Sequence, residues 1–111
     1  MERVTRYRQA LQRLVEDEAR RLPATGEIEA LQICDEEHDQ YQVLHVGWVS
    51  DKRIFAVICH LRLREGKIWV ERDGTAEGVA TRLLEAGIPR EDIVLSFHPA
   101  WKRPRTDFAV A

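Results

Sequence analysis

The sequence has little of what secreted and membrane proteins depend on. It contains only two cysteines, Cys34 and Cys59. The register predicted below places them on opposite faces of non-adjacent strands, so a disulfide is not expected and a reducing cytoplasm is the natural compartment. The N-terminus lacks the apolar core of a signal peptide, and no apolar run approaches the roughly 20 residues that span a bilayer. These features predict a cytoplasmic protein without a membrane segment.

An excess of charge of one sign is also absent. The chain has 17 Lys and Arg against 19 Asp and Glu, a net charge of -2, which argues against a bulk attraction to nucleic acid or anionic lipid. Hydrophobic residues make up 44% and charged residues 32% of the sequence, which is typical of a folded globule. Because 111 residues can bury one core without disulfides or a bound metal, we expect a single domain over residues 1–111.

The stretch from Tyr41 to Asp73 has three apolar runs separated by two short polar turns, and it predicts a β-meander. We place the turns at Asp51-Lys52 and Glu65-Gly66, which fixes the register because a hairpin loop sets which residues face each other. One face then becomes uniformly apolar and is expected to be the core. Its predicted pairs are Trp48–Phe55, Val46–Val57, Leu44–Cys59, Leu61–Val70 and Leu63–Ile68.

Helical patterns precede and follow the meander. Apolar residues spaced three and four apart predict a first helix from about residue 3 to residue 21. Thr75 as N-cap and Gly87 past the last turn delimit a second helix, in which Ile88 folds back on Leu83. Residues Glu27 to Asp35 alternate and predict a strand. The stripe of the first helix consists of Val4, Tyr7, Leu11, Leu14, Val15 and Leu22.

These elements predict an α+β fold. Pro23 and Gly26 are expected to end the first helix and turn the chain into the first strand. The expected order is an N-terminal helix, a four-stranded antiparallel meander, a second helix packed on the same sheet face, and a short C-terminal extended tail. That tail begins with an extended run from Ile93 to Phe97.

The sheet face away from both helices is predicted to be uncovered. In the predicted register, Tyr41, Arg62 and Trp69 form one row that permits an aromatic–cation–aromatic stack. We interpret this face as a contact surface for a partner protein or for a second copy of the chain. Its predicted members are Tyr41, His45, Ile54, Ile58, His60, Arg62, Trp69 and Glu71. An alternative is that the C-terminal tail folds back over this face, with Trp101 and Phe108 as plugs.

Catalytic templates find little support in the sequence. Ser50 and Ser96 lie outside any nucleophile-elbow pattern, and a glycine-rich phosphate loop is absent. His45, His60 and Glu71 could hold a transition metal, but a cross-strand His–Glu pair is the preferred interpretation. We therefore assign no catalytic residue, no metal ligand and no cofactor.

Basic residues cluster near the C-terminus. Together with an aromatic ring they resemble a small phosphate-and-stacking patch, which makes them candidate nucleic-acid contacts. These residues are Trp101, Lys102, Arg103 and Arg105. A second row, Arg6, Arg13 and Arg20, lies along one side of the first helix, but Glu16 and Asp17 are spaced to pair with it. A tail pinned by Trp101 and Phe108 is the preferred role of the C-terminal segment.

Short motifs along the chain carry a family resemblance. They are Tyr7-Arg8-Gln9, Gly26 to Glu29, Asp39-x-Tyr41, Val46-Gly47-Trp48, Gly66 to Trp69, Asp73-Gly74-Thr75, Glu91 to Leu95 with Phe97-His98, and Arg105 to Val110. With these motifs the chain resembles the XisI-like proteins, the fdxN element excision controlling factors of cyanobacteria. The resemblance implies a small α+β protein that acts with a companion, XisH, when a site-specific recombinase excises a DNA element during heterocyst development. It supplies no established active-site residues.

The sequence and the resemblance together favour a non-enzymatic accessory factor. It would control DNA-element excision through protein–protein contact with an XisH-like partner, which resembles restriction-type nucleases, and it could also form a homodimer through the uncovered sheet face. One alternative is a direct DNA-binding factor that uses the basic residues. Another is an antitoxin-like modulator of a partner nuclease.

Overall fold

The computed structural model describes residues 2–21 and 27–111, so Leu22, Pro23 and Gly26 lie outside the described residues. The first helix ends at Ala19, two residues before the predicted bound of about residue 21. In chain order the elements are α1 (Arg3–Ala19), β1 (Glu27–Asp35), β2 (Gln40–Val49), β3 (Lys52–Arg64), β4 (Lys67–Asp73), α2 (Val79–Glu85) and β5 (Ile93–Val94). Single 3-10 turns lie at Arg90–Asp92 and Arg103–Arg105. None of the helices that the structure describes is long and apolar enough to cross a membrane.

The sheet has five strands in the order β1-β2-β3-β4-β5, so the prediction of four antiparallel strands was wrong in number and in kind. The first four strands are antiparallel neighbours, and β5 lies parallel to β4 with Ile93 opposite Ile68. A parallel neighbour requires a crossover connection, and α2 provides it between β4 and β5. The run from Ile93 that was expected to belong to the tail therefore begins with the edge strand of the sheet.

Both helices pack on one face of the sheet, as predicted. Tyr7, Leu11 and Val15 of α1 enter the same buried cluster as Val79 and Leu83 of α2. We call the side that they cover the helix face and the opposite side the open face. The strand residues of the buried cluster define the helix face, and they are Tyr41, Val43, Cys59, Leu61, Leu63, Ile68, Val70 and Ile93.

Helix α2 starts later than predicted and ends as predicted. Its N-cap is Gly78 and not Thr75, because the Asp73 carboxylate accepts the N–H of Val79 at 2.7 Å and that of Thr75 at 3.0 Å. At the other end, the N–H of Ile88 donates to the carbonyl of Leu83 at 3.1 Å. This is the bond of a Schellman motif, and it requires the left-handed backbone that Gly87 adopts with φ 91°.

The second hairpin has the predicted register. Glu65 and Gly66 form its turn, both with positive φ (54° and 74°), as the favoured two-residue hairpin turn requires. Leu61 pairs with Val70, Leu63 with Ile68 and Arg62 with Trp69. The first turn was placed one residue too late, because Ser50 and Asp51 connect β2 to β3, with Ser50 at φ 53°.

A β-bulge in β3 overturns the predicted face of the first hairpin. Val43 pairs with Cys59, but Leu44 pairs with Val57, so Ile58 has no partner on β2. An extra residue reverses the alternation of the strand on either side of it. Cys59 and the odd-numbered residues after it therefore point to the helices, whereas the odd-numbered residues between the turn and Ile58 point away. The predicted pairs Trp48–Phe55, Val46–Val57 and Leu44–Cys59 were wrong, and the observed pairs are Trp48–Arg53, Val46–Phe55 and Leu44–Val57.

A buried ion pair joins the two helices. Arg82 of α2 donates to the Glu18 carboxylate at 2.7 Å and to the carbonyl of Leu14 at 3.3 Å. The side chains of Arg82 and Glu18 are only 10% and 8% exposed, and Arg21 lies 3.9 Å from the same carboxylate. Removing one member of a buried pair leaves the other charge unsatisfied, which costs more than the pair itself contributes.

We expect Arg82→Met to lower the free energy of unfolding by roughly 3 kcal/mol, the low end for a broken buried pair, because Arg21 still lies near Glu18. The double variant Glu18→Leu with Arg82→Met should recover most of this loss, since no charge stays buried without a partner. Urea denaturation of both single variants and the double variant measures the coupling. Additive losses in the double variant would contradict the interpretation.

A second polar contact ties α1 to the loop between β1 and β2. The Arg8 guanidinium donates to both oxygens of Asp39 at 2.9 and 3.1 Å, and the Tyr41 hydroxyl donates to Asp39 Oδ1 at 2.9 Å. The hydrogen bond from Arg8 holds the pKa of the Asp39 carboxyl below its usual range. At the end of α1 nearest β5, the Tyr7 hydroxyl donates to Asp92. Burial is the main cause, and this hydrogen bond the second, that raises the pKa of Tyr7 to about 12.

The depressed pKa of Asp39 predicts a pH dependence of stability. Its ionised form stabilises the fold above the unfolded pKa of about 3.9, and this contribution disappears as pH falls through the lower folded value. Asp39→Asn should therefore be less stable than the wild type at pH 7, and the difference should vanish in strong acid. Urea denaturation across this range measures it, with Asp51→Asn in the exposed first turn as the control. A difference that is independent of pH would contradict the assignment.

Candidate functional site

Two members of the predicted contact face lie on the helix face. Tyr41 is fully buried and opposes Leu61, not Arg62, because the first turn lies one residue earlier than predicted and the bulge at Ile58 then adds one residue to β3. His45 lies between Ala30 and Ala56, and its Nε2 atom is buried without a hydrogen-bond partner among the described residues. Neither side chain is available to a partner on the open face.

The two isoleucines of the predicted face also turn away from it. Ile54 pairs with Gly47, which places it on the same side as His45, and Ile58 packs against the buried cluster. They occupy this side because the bulge places the even-numbered β3 residues between the first turn and Ile58 on the helix face. The prediction for Ile54 and Ile58 was therefore wrong.

His60, Arg62 and Glu71 lie together at the polar end of the sheet. His60 Nε2 is 2.8 Å from Gln40 Oε1, and burial lowers the pKa of this histidine. Arg62 pairs with Glu71 at 3.4 Å. Glu71 is the extra residue of a second bulge, so His60 opposes Arg72 and the predicted His60–Glu71 pair was wrong.

A metal site built from His45 and His60 is excluded by their placement. His45 pairs with Ala56 on the helix face, whereas His60 pairs with Gln42 on the open face. Within residues 2–21 and 27–111, no three His, Cys, Asp or Glu side chains converge in a way that could hold a metal ion. Both cysteines are free thiols, and burial raises the pKa of Cys59 to about 12.

Trp69 lies on the open face but is covered by the chain itself. Its ring is 8% exposed, and its Nε1 donates to the carbonyl of Arg64 at 3.1 Å. The guanidinium groups of Arg64 and Arg103 lie 5.0 and 5.8 Å from the ring centre, a cation–π arrangement. The C-terminal segment therefore folds back over the β4 end of the open face, as one of the two sequence interpretations expected.

The residue that covers Trp69 is not one of the predicted plugs. Arg103 is held over the ring by donating to the carbonyls of His98 (3.0 Å) and Val110 (3.3 Å). Phe108 packs instead against the buried cluster, and Trp101 is 68% exposed with Arg105 5.8 Å from its ring centre. Trp101, Lys102 and Arg105 thus remain at the surface, whereas Arg103 is engaged within the chain.

The open face carries an apolar surface over β1, β2 and β3 near the first turn. We call it the apolar sheet patch, and it consists of Leu31, Leu44, Val46, Trp48, Phe55 and Val57. Phe55 is 67% exposed, Trp48 49% and Leu31 38%. None of the six belongs to the buried cluster, and Leu44, Val46 and Val57 are half-buried. Contiguous exposed apolar surfaces are typical of contact sites, which makes this patch the candidate contact surface.

Charged residues of opposite sign flank the apolar sheet patch. Glu27 and Glu29 lie on its β1 side, opposite Trp48 and Val46. Arg53 lies on its β3 side, with its guanidinium 5.3 Å from the Trp48 ring centre and 6.0 Å from that of Phe55. A shallow groove of about 430 Å³ runs between these residues at the surface of the patch.

A second groove, of about 260 Å³, lies between α1 and α2. Its rim carries charges of both signs, and Arg21 donates to Glu77 across it at 2.8 Å. Because these charges pair with each other, this groove offers a weaker contact surface than the apolar sheet patch.

Sequence reasoning assigned Trp48, Val46 and Phe55 to the core and therefore missed the apolar sheet patch. The only signal for the bulge is the run Ile54 to Cys59, six consecutive apolar residues in which alternation disappears. A strand that is apolar on both sides does not specify its face by pattern.

Comparisons with known proteins agree on one family. The family model described as XisI protein matches residues 1–110. The crystal structure of the fdxN element excision controlling factor XisI from Anabaena variabilis ATCC 29413 is 36% identical, with a TM-score of 0.84, over 99% of this chain and 100% of that chain. A XisI-like protein from the same organism is 33% identical, with a TM-score of 0.90, over 97% and 99% of the two chains.

A search of curated protein sequences finds no significant match. The family match over nearly the whole sequence and the two solved structures nevertheless agree with each other and with the motifs identified in the sequence. The chain belongs to the XisI family.

Proposed function

We propose that the protein is a non-enzymatic accessory factor that controls excision of a DNA element, and that it acts by contact with an XisH-like protein of nuclease-like fold. The family and the name of the 36% identical structure, an fdxN element excision controlling factor, support the role in excision. The role of protein contact is supported by the structure of this chain.

The observation that carries the proposal is the apolar sheet patch. Trp48 and Phe55 project from the open face with Arg53 beside both rings. Tryptophan and arginine are enriched at the residues that dominate binding energy in protein interfaces, and buried aromatic rings supply much of the contact area. An exposed apolar surface of this kind is typical of a surface that another molecule covers.

The shifted pKa values of Asp39 and Tyr7 have structural explanations, which favours a non-enzymatic role. Asp39 is bonded to Arg8 and Tyr41, and the Tyr7 hydroxyl donates to Asp92. The contacts of Arg8 with Asp39 and of Tyr7 with Asp92 fasten α1 to loops of the sheet. A catalytic pair would instead line a groove and point into it.

A variant of the proposal is an antitoxin-like role, in which contact with the nuclease-fold partner restrains its activity. This variant uses the same contact surface and the same partner. It differs only in the consequence of binding, which the activity of the partner with and without this protein would reveal.

Direct DNA binding is a second candidate function, and one observation favours it. Trp101 is 68% exposed with Arg105 beside its ring, and Lys102 is exposed next to it in the chain. An exposed ring flanked by cations can stack on a base and contact phosphates. Arg103 cannot join this group without leaving Trp69.

For the first function, we expect the XisH-like product of a neighbouring gene to co-purify with this protein in a stable complex. Phe55→Lys should weaken the complex by about tenfold or more, because it places a charge in the centre of the apolar sheet patch. Isothermal titration of the purified proteins measures this change. Trp101→Ser is the matched control, since it removes an exposed aromatic ring outside the patch. The proposal fails if the two wild-type proteins do not associate.

For the second function, we expect affinity for duplex DNA to fall steeply as salt rises. Replacing Lys102 and Arg105 together by Gln should reduce the slope of log affinity against log salt by about 2. The control is Arg20→Gln, which removes a cation that is already paired with Glu16 and Asp17 and should leave the slope unchanged. The absence of binding at low salt would remove DNA contact as a function of the isolated protein.

A further inference from the structure

The charges around the apolar sheet patch are arranged in rows across three strands. Glu27 on β1, Trp48 on β2 and Arg53 on β3 are successive partners in one row. Glu29, Val46 and Phe55 form the next row. The patch is therefore acidic along β1, apolar along β2, and basic at its β3 side.

This order is self-complementary under a two-fold rotation. If the axis lies between two open faces and runs parallel to β2, then β2 of each copy faces β2 of the other, and β1 of each copy faces β3 of the other. Glu27 of one copy then faces Arg53 of the second copy, Glu29 faces Phe55 in the next row, and Trp48 and Val46 meet their own counterparts. A two-fold interface requires such a self-complementary surface.

The covered part of the open face fits the same arrangement. The C-terminal segment covers Trp69 on β4 through Arg103, which lies on the far side of β3 from the axis. A second copy centred on β2 meets β1, β2 and β3 and leaves β4 outside the contact. Two sheets packed in this way lie about 10 Å apart, and their side chains interdigitate between them.

The alternative route to a dimer, through the edge of the sheet, has the wrong charges. Strand β1 is the first strand of the sheet order. Antiparallel pairing with a second β1 that uses all nine residues places Glu27 opposite Asp35 of the other copy at both ends. Like charges directly opposite each other destabilise a strand pair. The charge pattern therefore favours contact through the face.

We propose that two copies of this chain pack face to face through the apolar sheet patch, with Glu27 of each copy against Arg53 of the other and Glu29 one row away. This inference rests on the proposed function for its premise that the patch is a protein-contact surface. It assigns that surface to a second copy when the chain is alone, so that the XisH-like protein and the second copy compete for the same patch.

The test is the mass of the purified full chain in solution, measured by sedimentation equilibrium from about 1 µM to about 1 mM. We expect the wild type to dimerise with increasing concentration. Phe55→Lys and Arg53→Glu should each raise the dissociation constant by about tenfold or more. Combining Arg53→Glu with Glu27→Arg and Glu29→Arg should restore dimerisation, because the charges then face each other with signs exchanged.

Trp101→Ser is the matched control and should leave the mass unchanged. Circular dichroism and thermal unfolding at low concentration check that each variant is folded, as expected for side chains as exposed as Phe55. A wild type that stays monomeric throughout the range overturns the inference. So does a dimer that persists in both Phe55→Lys and Arg53→Glu, because its contact would lie elsewhere.

Failure of this inference is distinguishable from failure of the proposed function. A monomeric wild type whose complex with the XisH-like protein is weakened by Phe55→Lys keeps the function and overturns the dimer. A wild type that dimerises through Arg53 but binds no XisH-like protein keeps the dimer and overturns the function.

Discussion

The unpaired Ile58 in β3 is the constraint on which the two faces of this protein depend. β3 is the longest strand, with 13 residues, and it contributes to both faces. On one side of the bulge Cys59, Leu61 and Leu63 point to the helices and enter the core, and on the other side Phe55 and Val57 point away. Without the extra residue, every apolar odd-numbered side chain of β3 would lie on one face. The bulge thus supplies the core and the apolar sheet patch from a single strand.

The first strand can follow this hairpin only because of Gly47. A Cβ atom at this position would lie 2.0 Å from the carbonyl oxygen of Glu27, so only glycine permits the backbones of β1 and β2 to approach this closely. Glu27 and Trp48 are partners one residue away. The flank of acidic residues along the patch is therefore positioned by a backbone requirement and not by contacts among the side chains themselves.

The predictable parts of the fold are those that local sequence determines. The Glu65-Gly66 turn, the end of α2 at Gly87 and the apolar stripe of α1 each depend on residues a few positions apart, and all three are present as predicted. β5 has only two residues and depends on pairing with Ile68 and Trp69, so no periodicity announces it. The face of the first hairpin was mispredicted because Ile54 to Cys59 is apolar throughout, so its pattern fits either face. Packing against α1 decides which of these side chains point inward. The apolar sheet patch was missed for the same reason, since a face decided by tertiary packing cannot be read from alternation.

The division of the open face between tail and patch separates folding from association. Arg103 covers Trp69 from within the chain, so this part of the face is buried at any protein concentration. Trp48, Phe55 and Leu31 remain exposed, and covering apolar area is favourable by about 25 cal/mol per Å². The chain leaves this free energy unused when it folds alone. In the proposed dimer, burial of the patch therefore depends on protein concentration, and the fold of each copy stays intact.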